Sequence, residues 1–270
     1  MNLKMIKQKS KEQIKPYVKN LSPVVLFNFY FHACLYVPYV IYMILAKGNP
    51  AVYSPKEKLL NIAYLLFCLF IYPVIHMAYL RLISRIANKK ENEELKYIGI
   101  KGYISNFYLA GKAIGNYLWT MLWLSIWFFS LFIVLSKFIF FPILEHLRIN
   151  QPLIIFTWIL FIIFFIIIFG LFYYKIISYS MNTYAIADEE ETEVIEAMKI
   201  SKSLTKGHRG ELFLLMLSFI PQYLLVVVTL GIAAVWIIPY YSMSYFNAYK
   251  ELETEACRKI SSGEAVLDTD

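Results

Sequence analysis

The chain has 270 residues, of which 59% are hydrophobic, 18% aromatic and only 17% charged, and its formal net charge is +7. A soluble domain holds about 45–50% apolar and about 25% charged residues, so the surplus of Phe, Ile, Leu and Tyr has to face lipid rather than water. The same arithmetic excludes a disordered chain, a disulfide-stapled secreted module and a nucleic-acid binder built on a basic surface. The expected class is all-α, a polytopic helical bundle in a membrane.

Residues 1–20 (MNLKMIKQKSKEQIKPYVKN) are basic like the start of a signal peptide. The apolar run behind them is too long for one, and no small-x-small cleavage site follows, so the segment is expected to be retained. A helix crossing about 30 Å of hydrocarbon needs about 20 apolar residues. Stretches of that kind lie near 22–45, 59–83, 115–136, 152–187, 212–230 and 232–249, which predicts about six spans in one membrane domain, 21–252. The fourth is too long for a single crossing, so it has to tilt, project from the membrane or begin with an interfacial turn around FFPIL and QPLIIF. Only the Leu230-Gly231 step separates the last two, which form either a hairpin eased by Gly231 or one long bent helix. Residues 253–270 make a polar tail.

Lys and Arg set the orientation. Segments 1–20, 81–112, 175–209 and 250–259 hold six, seven, five and three of them, while Lys47, Lys56, Lys58, Lys137 and Arg148 fall in the loops between. The positive-inside rule then places both termini in the cytoplasm of a multi-pass protein of the cell membrane, and the charge of +7 suits contact with a bilayer whose inner leaflet is anionic. Two cytoplasmic segments carry structure of their own. In KENEELKYIGIKGYISNFYLAGKAIG, Tyr97, Tyr103, Phe107 and Tyr108 interleave with Lys96, Lys101 and Lys112, which suits a helix lying at headgroup level. DEEETEVIEAMKISKSLTKGHRGE opens on carboxylates and closes on Lys206 and Gly207, as helix ends favour; Val194, Ala197, Met198, Ser201 and Leu204 make one face for docking.

Aligning YPVIHMAYL (72–80), SYSMNTY (178–184) and IPYYSMSYF (238–246) puts Met77, Met181 and Met243 in register, with Tyr79 matching Tyr245 and Pro73 matching Pro239. Such a repeat admits three helical hairpins in a parallel array, and a Tyr-rich composition also produces it by chance. Three cysteines, at 34, 68 and 257, make no disulfide framework and are expected to be reduced.

From about residue 170 the chain resembles a bacterial membrane protein family catalogued as domain of unknown function 975. YSMNTYAIAD (179–188), EAMKISKSLTKG (196–207), LFLLMLSFI (212–220), TLGIAAVWIIPY (229–240) and AYKEL (248–252) carry the likeness. One departure is Pro221-Gln222, where the family usually has Gly-Trp; a Pro there frees a backbone carbonyl and favours a kink. The resemblance implies an integral membrane protein with no established chemistry. Within its motifs, Asp188 is expected to cap the following amphipathic helix, Gly207 to end it, and Tyr179, Tyr184, Tyr240 and Tyr249 to anchor at the interface. Glu196, Ser201, Lys206 and Glu211 either interact near the fifth span or belong to a solvated face, and Gly231 and Pro239 shape the last two spans.

Ionisable groups inside a bilayer are costly and therefore functional suspects. No Asp or Glu lies inside an apolar run, so the carboxylate relay of a proton-coupled transporter is missing. The candidates for a polar path are Asn28 and His32 on the first span, His76 on the second, Lys175 on the fourth and Gln222 on the fifth. Lys175, at a position where the resembling family often carries Lys, either snorkels at the inner interface or lies deep and needs a partner. His32, His76, Cys34 and Cys68 lack the spacing of a metal site, and GHRG (207–210) is too short to cradle a phosphate, although His208 and Arg209 at a helix start suit a lipid phosphate. No cofactor, metal ligand set or catalytic residue is expected. The expected role is a non-catalytic envelope component or accessory, immunity-type protein, with room for a protein partner or a homo-oligomer; the alternative is a small transporter or channel using the polar path.

Overall fold

The computed structural model describes residues 1–30, 55–89, 99–135 and 154–262, and all regular structure among them is helical. His32, Cys34, Lys96, Tyr97 and the FFPIL turn lie outside the described residues. Helix α1 (Leu3–Ile14) begins at Asn2, whose side chain accepts the Met5 N–H at 3.3 Å, an N-cap that satisfies one free donor of the first turn. A 3₁₀ turn at Lys15–Tyr17 leads into α2 (18–30).

Helix α3 (Pro55–Leu66) passes through a π-helical turn, Phe67–Ile71, into α4 (Tyr72–Ala87). The cause is local: Pro73 has no N–H to give, and the ladder widens just before it, with Tyr72 N–H bonded to the Phe67 carbonyl. Helix α5 (Ile100–Ser105) and a 3₁₀ turn (Asn106–Leu109) feed α6 (Ala110–Leu135).

The fourth apolar stretch is not one continuous helix. Helix α7 (Ile154–Ser178) stops, residues 179–181 turn, and α8 (Asn182–Asp188) follows. The amphipathic helix α9 (Val194–Thr205) buries Ala197, Met198, Ser201 and Leu204. The fifth stretch is also divided, into α10 (Arg209–Leu217) and α11 (Ile220–Val228). Pro221 sits in the first turn of α11, where no intrahelical N–H is required, so it opens a new helix instead of bending an old one.

The chain then reverses at Leu230 (φ 49°) and Gly231 (φ 92°) into α12 (Ala234–Ser261). Helices α11 and α12 lie side by side: Tyr223 meets Tyr241 edge-on at 5.6 Å, and Phe219, just ahead of α11, meets Tyr240 and Tyr241 at 5.1 and 5.2 Å. Helix α12 continues through Ser261, well into the stretch expected as a polar tail.

Among the described residues, three helical stretches, Ile62–Ala87, Phe165–Asp188 and Arg209–Val228, are long and apolar enough to cross a membrane. They are only 33%, 22% and 22% buried within the protein, and Phe165, Ile166, Phe169, Leu224, Val227 and Val228 are exposed along them. Surface of that kind is stable only against an apolar surrounding. The packed core lies towards one end of these stretches, where α4, α8, α9 and α12 meet α1 and α2. Met77, Met181 and Met243, the register positions of the sequence repeat, are all buried there, at 1%, 0% and 0% exposure.

Candidate functional site

A dense polar arrangement among the described residues is built around Asp188, the last residue of α8. Its side chain is 3% exposed and forms an ion pair with Lys250 of α12. It also accepts hydrogen bonds from Asn88 Nδ2 (2.6 Å) and Ser84 Oγ (3.2 Å) at the end of α4. Lys250 reaches Glu253 at 2.8 Å, and the Tyr249 hydroxyl donates to the same carboxylate at 3.0 Å. One residue thus joins three helices.

A second cation closes the same end of α8. Arg81 donates to the carbonyls of Ala187 and Asp188, both at 2.7 Å, and pairs with Glu190; Lys112 donates to the carbonyls of Glu190 and Thr192. The Ala187 and Asp188 carbonyls are of the kind that a helix C-terminus leaves without partners, and cations are favoured there. Burial pushes the Glu190 carboxyl up, but the Tyr108 hydroxyl and the Arg81 and Arg85 charges outweigh it and hold the group below its usual range. For Lys250, burial disfavours the charge, and Asp188 and Glu253 overcome that and raise its pKa.

Asp188 therefore does not cap the amphipathic helix. Residues 189–193 intervene, and Glu193 holds the cap position of α9 without a side-chain bond. Ser201 serves the break in the fourth stretch instead: its Oγ donates to the Ser178 carbonyl at 2.9 Å and accepts the Met181 N–H at 3.0 Å, which satisfies both sides of the turn. Gly207 follows α9 with φ 89°, the left-handed conformation at which Gly ends helices.

Glu196 is exposed. Glu211 binds His208 Nδ1 at 2.9 Å and the Met1 amino group at 3.3 Å, so Glu196, Ser201 and Glu211 do not form one cluster. His208 also faces Glu255 at 3.5 Å, and Arg209 lies over the Tyr174 ring; an imidazole between two carboxylates is poorly placed for a phosphate. Among the expected anchors, Tyr240 is half-buried beside Phe219 and Tyr179 is half-buried in the turn after α7. Tyr184 and Tyr249 are core residues, at 7% and 2% exposure. Helix α8 folds back onto α4 and α12 and takes Tyr184 into a stack with Tyr245, rings 6.0 Å apart. Pro239 is buried within α12.

The described members of the expected polar path, Asn28, His76, Lys175 and Gln222, do not assemble as one group. Asn28 and His76 line a common cavity of about 680 Å³ between α2, α3, α4, α8, α11 and α12. Lys175 is absent from its wall and instead holds its ammonium 3.8 Å above the Trp127 ring, a cation–π contact between α7 and α6. Gln222 is also outside the wall, with its Oε1 buried and unpartnered among the described residues, while the next residue, Tyr223, lines it. Hydropathy gives the depth of a residue in a helix but not the rotation of that helix, and rotation separates these side chains.

Six tyrosines, Tyr64, Tyr72, Tyr79, Tyr184, Tyr223 and Tyr241, contribute to the cavity, with Ser242 and Phe29. Among the described residues, no Asp, Glu, Lys or Arg lines it. Asn28 is occupied: its Nδ2 donates to the Val24 carbonyl at 2.9 Å, and its Oδ1 accepts from Tyr103 at 2.9 Å. Tyr103, expected at the headgroups, is thereby buried, whereas its neighbours Ile104, Phe107 and Tyr108 stay exposed. Among the described residues, no group of three His, Cys, Asp or Glu side chains is placed to hold a metal.

Sequence reasoning missed the docking of α1. Ile6, Ser10 and Ile14 are buried against α12, and Asn247 donates to Ser10 Oγ and to Gln13 Oε1, both at 2.8 Å. The signal was present as a one-turn spacing of Ile6, Ser10 and Ile14, hidden among lysines.

Helices that expose apolar surface along several membrane-length stretches, joined to a packed core towards one end, define a multi-pass membrane protein. The chain belongs to the family described as protein of unknown function (DUF975), which it matches over residues 1–256. No curated protein and no solved structure matches it significantly.

Proposed function

We propose that this protein is a non-catalytic component of the cell membrane, of an accessory or immunity type, with about six spans arranged as three hairpins and both termini in the cytoplasm. Its working part is the packed helical layer at the inner face. The observation that supports this is the commitment of the charged residues around Asp188: Lys250, Arg81 and Lys112 are bound to protein carboxylates and backbone carbonyls. Groups held that firmly join helices and are ill-suited to exchange protons with a substrate. The cavity beside Asn28 and His76 supports a second reading, a small transporter or channel.

The test uses Asp188→Asn, Lys250→Met and the two combined, each scored for complementation of whatever defect a deletion strain shows and for the melting temperature of the purified protein. A joint predicts that each single change lowers both and that the paired neutral change restores much of the loss, because it leaves no buried charge without a partner. A paired variant that folds with the wild-type melting temperature yet fails to complement would overturn the proposal in favour of proton or ion chemistry at Asp188.

A further inference from the structure

The tyrosine-lined cavity has a chemistry that the joint at Asp188 does not use. Its volume of about 680 Å³ lies within the range of small-molecule sites, about 300–1,000 Å³. The walls are largely aromatic and aliphatic, with a few polar groups, which is the usual make-up of a site that binds an amphipathic molecule.

Two of the polar groups lack partners among the described residues. His76 stacks on Tyr72, ring centroids 5.8 Å apart, and its imidazole makes no hydrogen bond there. Tyr79 is 5% exposed, and its hydroxyl lies against Ser242 in the wall but without the geometry of a hydrogen bond. A buried polar group left without a hydrogen bond is costly, so a ligand group that serves the Tyr79 hydroxyl, with the half-buried His76 imidazole in the same wall, is favoured. A neutral imidazole offers one donor and one acceptor, and hydroxyls offer both. With no Asp, Glu, Lys or Arg among the described wall residues, a fully charged ligand would lose its hydration without gaining a counter-charge.

We infer that this cavity binds an uncharged, largely apolar molecule carrying a hydroxyl, carbonyl or amide group, which hydrogen-bonds His76 and the Tyr79–Ser242 pair. Such a molecule comes either sideways from the bilayer, as a lipid alcohol or diacylglycerol, or from water as a small lipophilic alcohol.

The test is photolabelling of the full chain in nanodiscs with diazirine probes that share a hexadecyl body and differ in head group: alcohol, trimethylammonium or carboxylate. A hexyl alcohol probe is run beside them. The alcohol probes are expected to label peptides containing Tyr72, His76, Tyr223 or Tyr241, and to lose that labelling several-fold in His76→Ala and in a cavity-filling Ile238→Trp. Both variants are first checked for wild-type melting temperature; His76→Ala removes only a side chain and keeps the test decisive if Ile238→Trp fails to fold. Labelling by the hexadecyl alcohol alone supports the proposal with the bilayer as source, and labelling by the hexyl alcohol as well supports it with water as source. Stronger labelling by the trimethylammonium probe, which aromatic walls also attract, overturns the uncharged class. Labelling that is unchanged in His76→Ala, or that falls elsewhere, overturns the site. Neither failure touches the joint at Asp188, which the paired variant tests separately.

Discussion

Glu190 shows how one carboxylate ties the packed layer to pH. It sits in the acidic turn between α8 and α9, paired with Arg81, while its own carbonyl accepts from Lys112. Its carboxyl is held below the ordinary value of 4.5. A group whose pKa is depressed on folding contributes stability that is present above the unfolded value and is lost as pH falls through the folded one. The protein should therefore lose stability below about pH 4.5, and Glu190→Gln should lose less over that window because it has no proton to gain. Unfolding in mild detergent between neutral pH and pH 3 checks this: parallel curves for wild type and variant would show that Glu190 does not carry the dependence. The side chain is 37% exposed, so solvent screening keeps the effect to a fraction of a buried pair's.

The turn between α11 and α12 depends on one glycine. Gly231 adopts φ 92°, and a Cβ placed there would overlap the Phe29 ring of α2. Gly231→Ala should cost about 1–2 kcal/mol for the left-handed backbone alone, plus the displacement of Phe29. In a Phe29→Ala background the overlap vanishes and the backbone cost remains, so the added penalty of Gly231→Ala should shrink without disappearing. Chemical unfolding of the four proteins of this double-mutant cycle measures the difference, and equal penalties in both backgrounds would place Phe29 away from Gly231. Much at this level was legible in the sequence. The all-α character and the membrane-length stretches followed from hydropathy, and the buried face of α9 followed from its helical spacing. The divisions at residues 179–181 and 218–219 were not, because each rests on a distant or positional partner: Ser201 holds the first, and Pro221 starts a helix at the second. Nor was the cluster at Asp188, whose partners Asn88 and Lys250 lie 100 and 62 residues away. Hydropathy reads the environment of each residue singly and is silent on such pairs.

The molecule as a whole is packed unevenly. Its spans leave most of their surface to lipid, and its core gathers where α1, α4, α8, α9 and α12 converge. Such a design places the stability of a membrane protein in a layer that behaves like a small soluble domain, with Leu21, Met77, Leu80, Ile83, Met181 and Phe246 fully buried. Helix α1 covers one side of that layer. Its lysines Lys4, Lys9 and Lys11 are exposed, while Ser10 on the same helix packs against Asn247. Ile6 is 3% exposed, and Ile6→Ala should cost about 2–4 kcal/mol as a cavity in a packed core, whereas Lys11→Ala, on the exposed side, should be nearly neutral. The loosened helix should then be cut by trypsin at its lysines. If the termini face the cytoplasm, cutting of Ile6→Ala occurs in inverted vesicles and is absent from right-side-out ones, while the wild type resists in both. Cutting only in right-side-out vesicles would reverse the orientation, and wild-type resistance in the variant would mean that α1 is held by Asn247 and its polar partners alone.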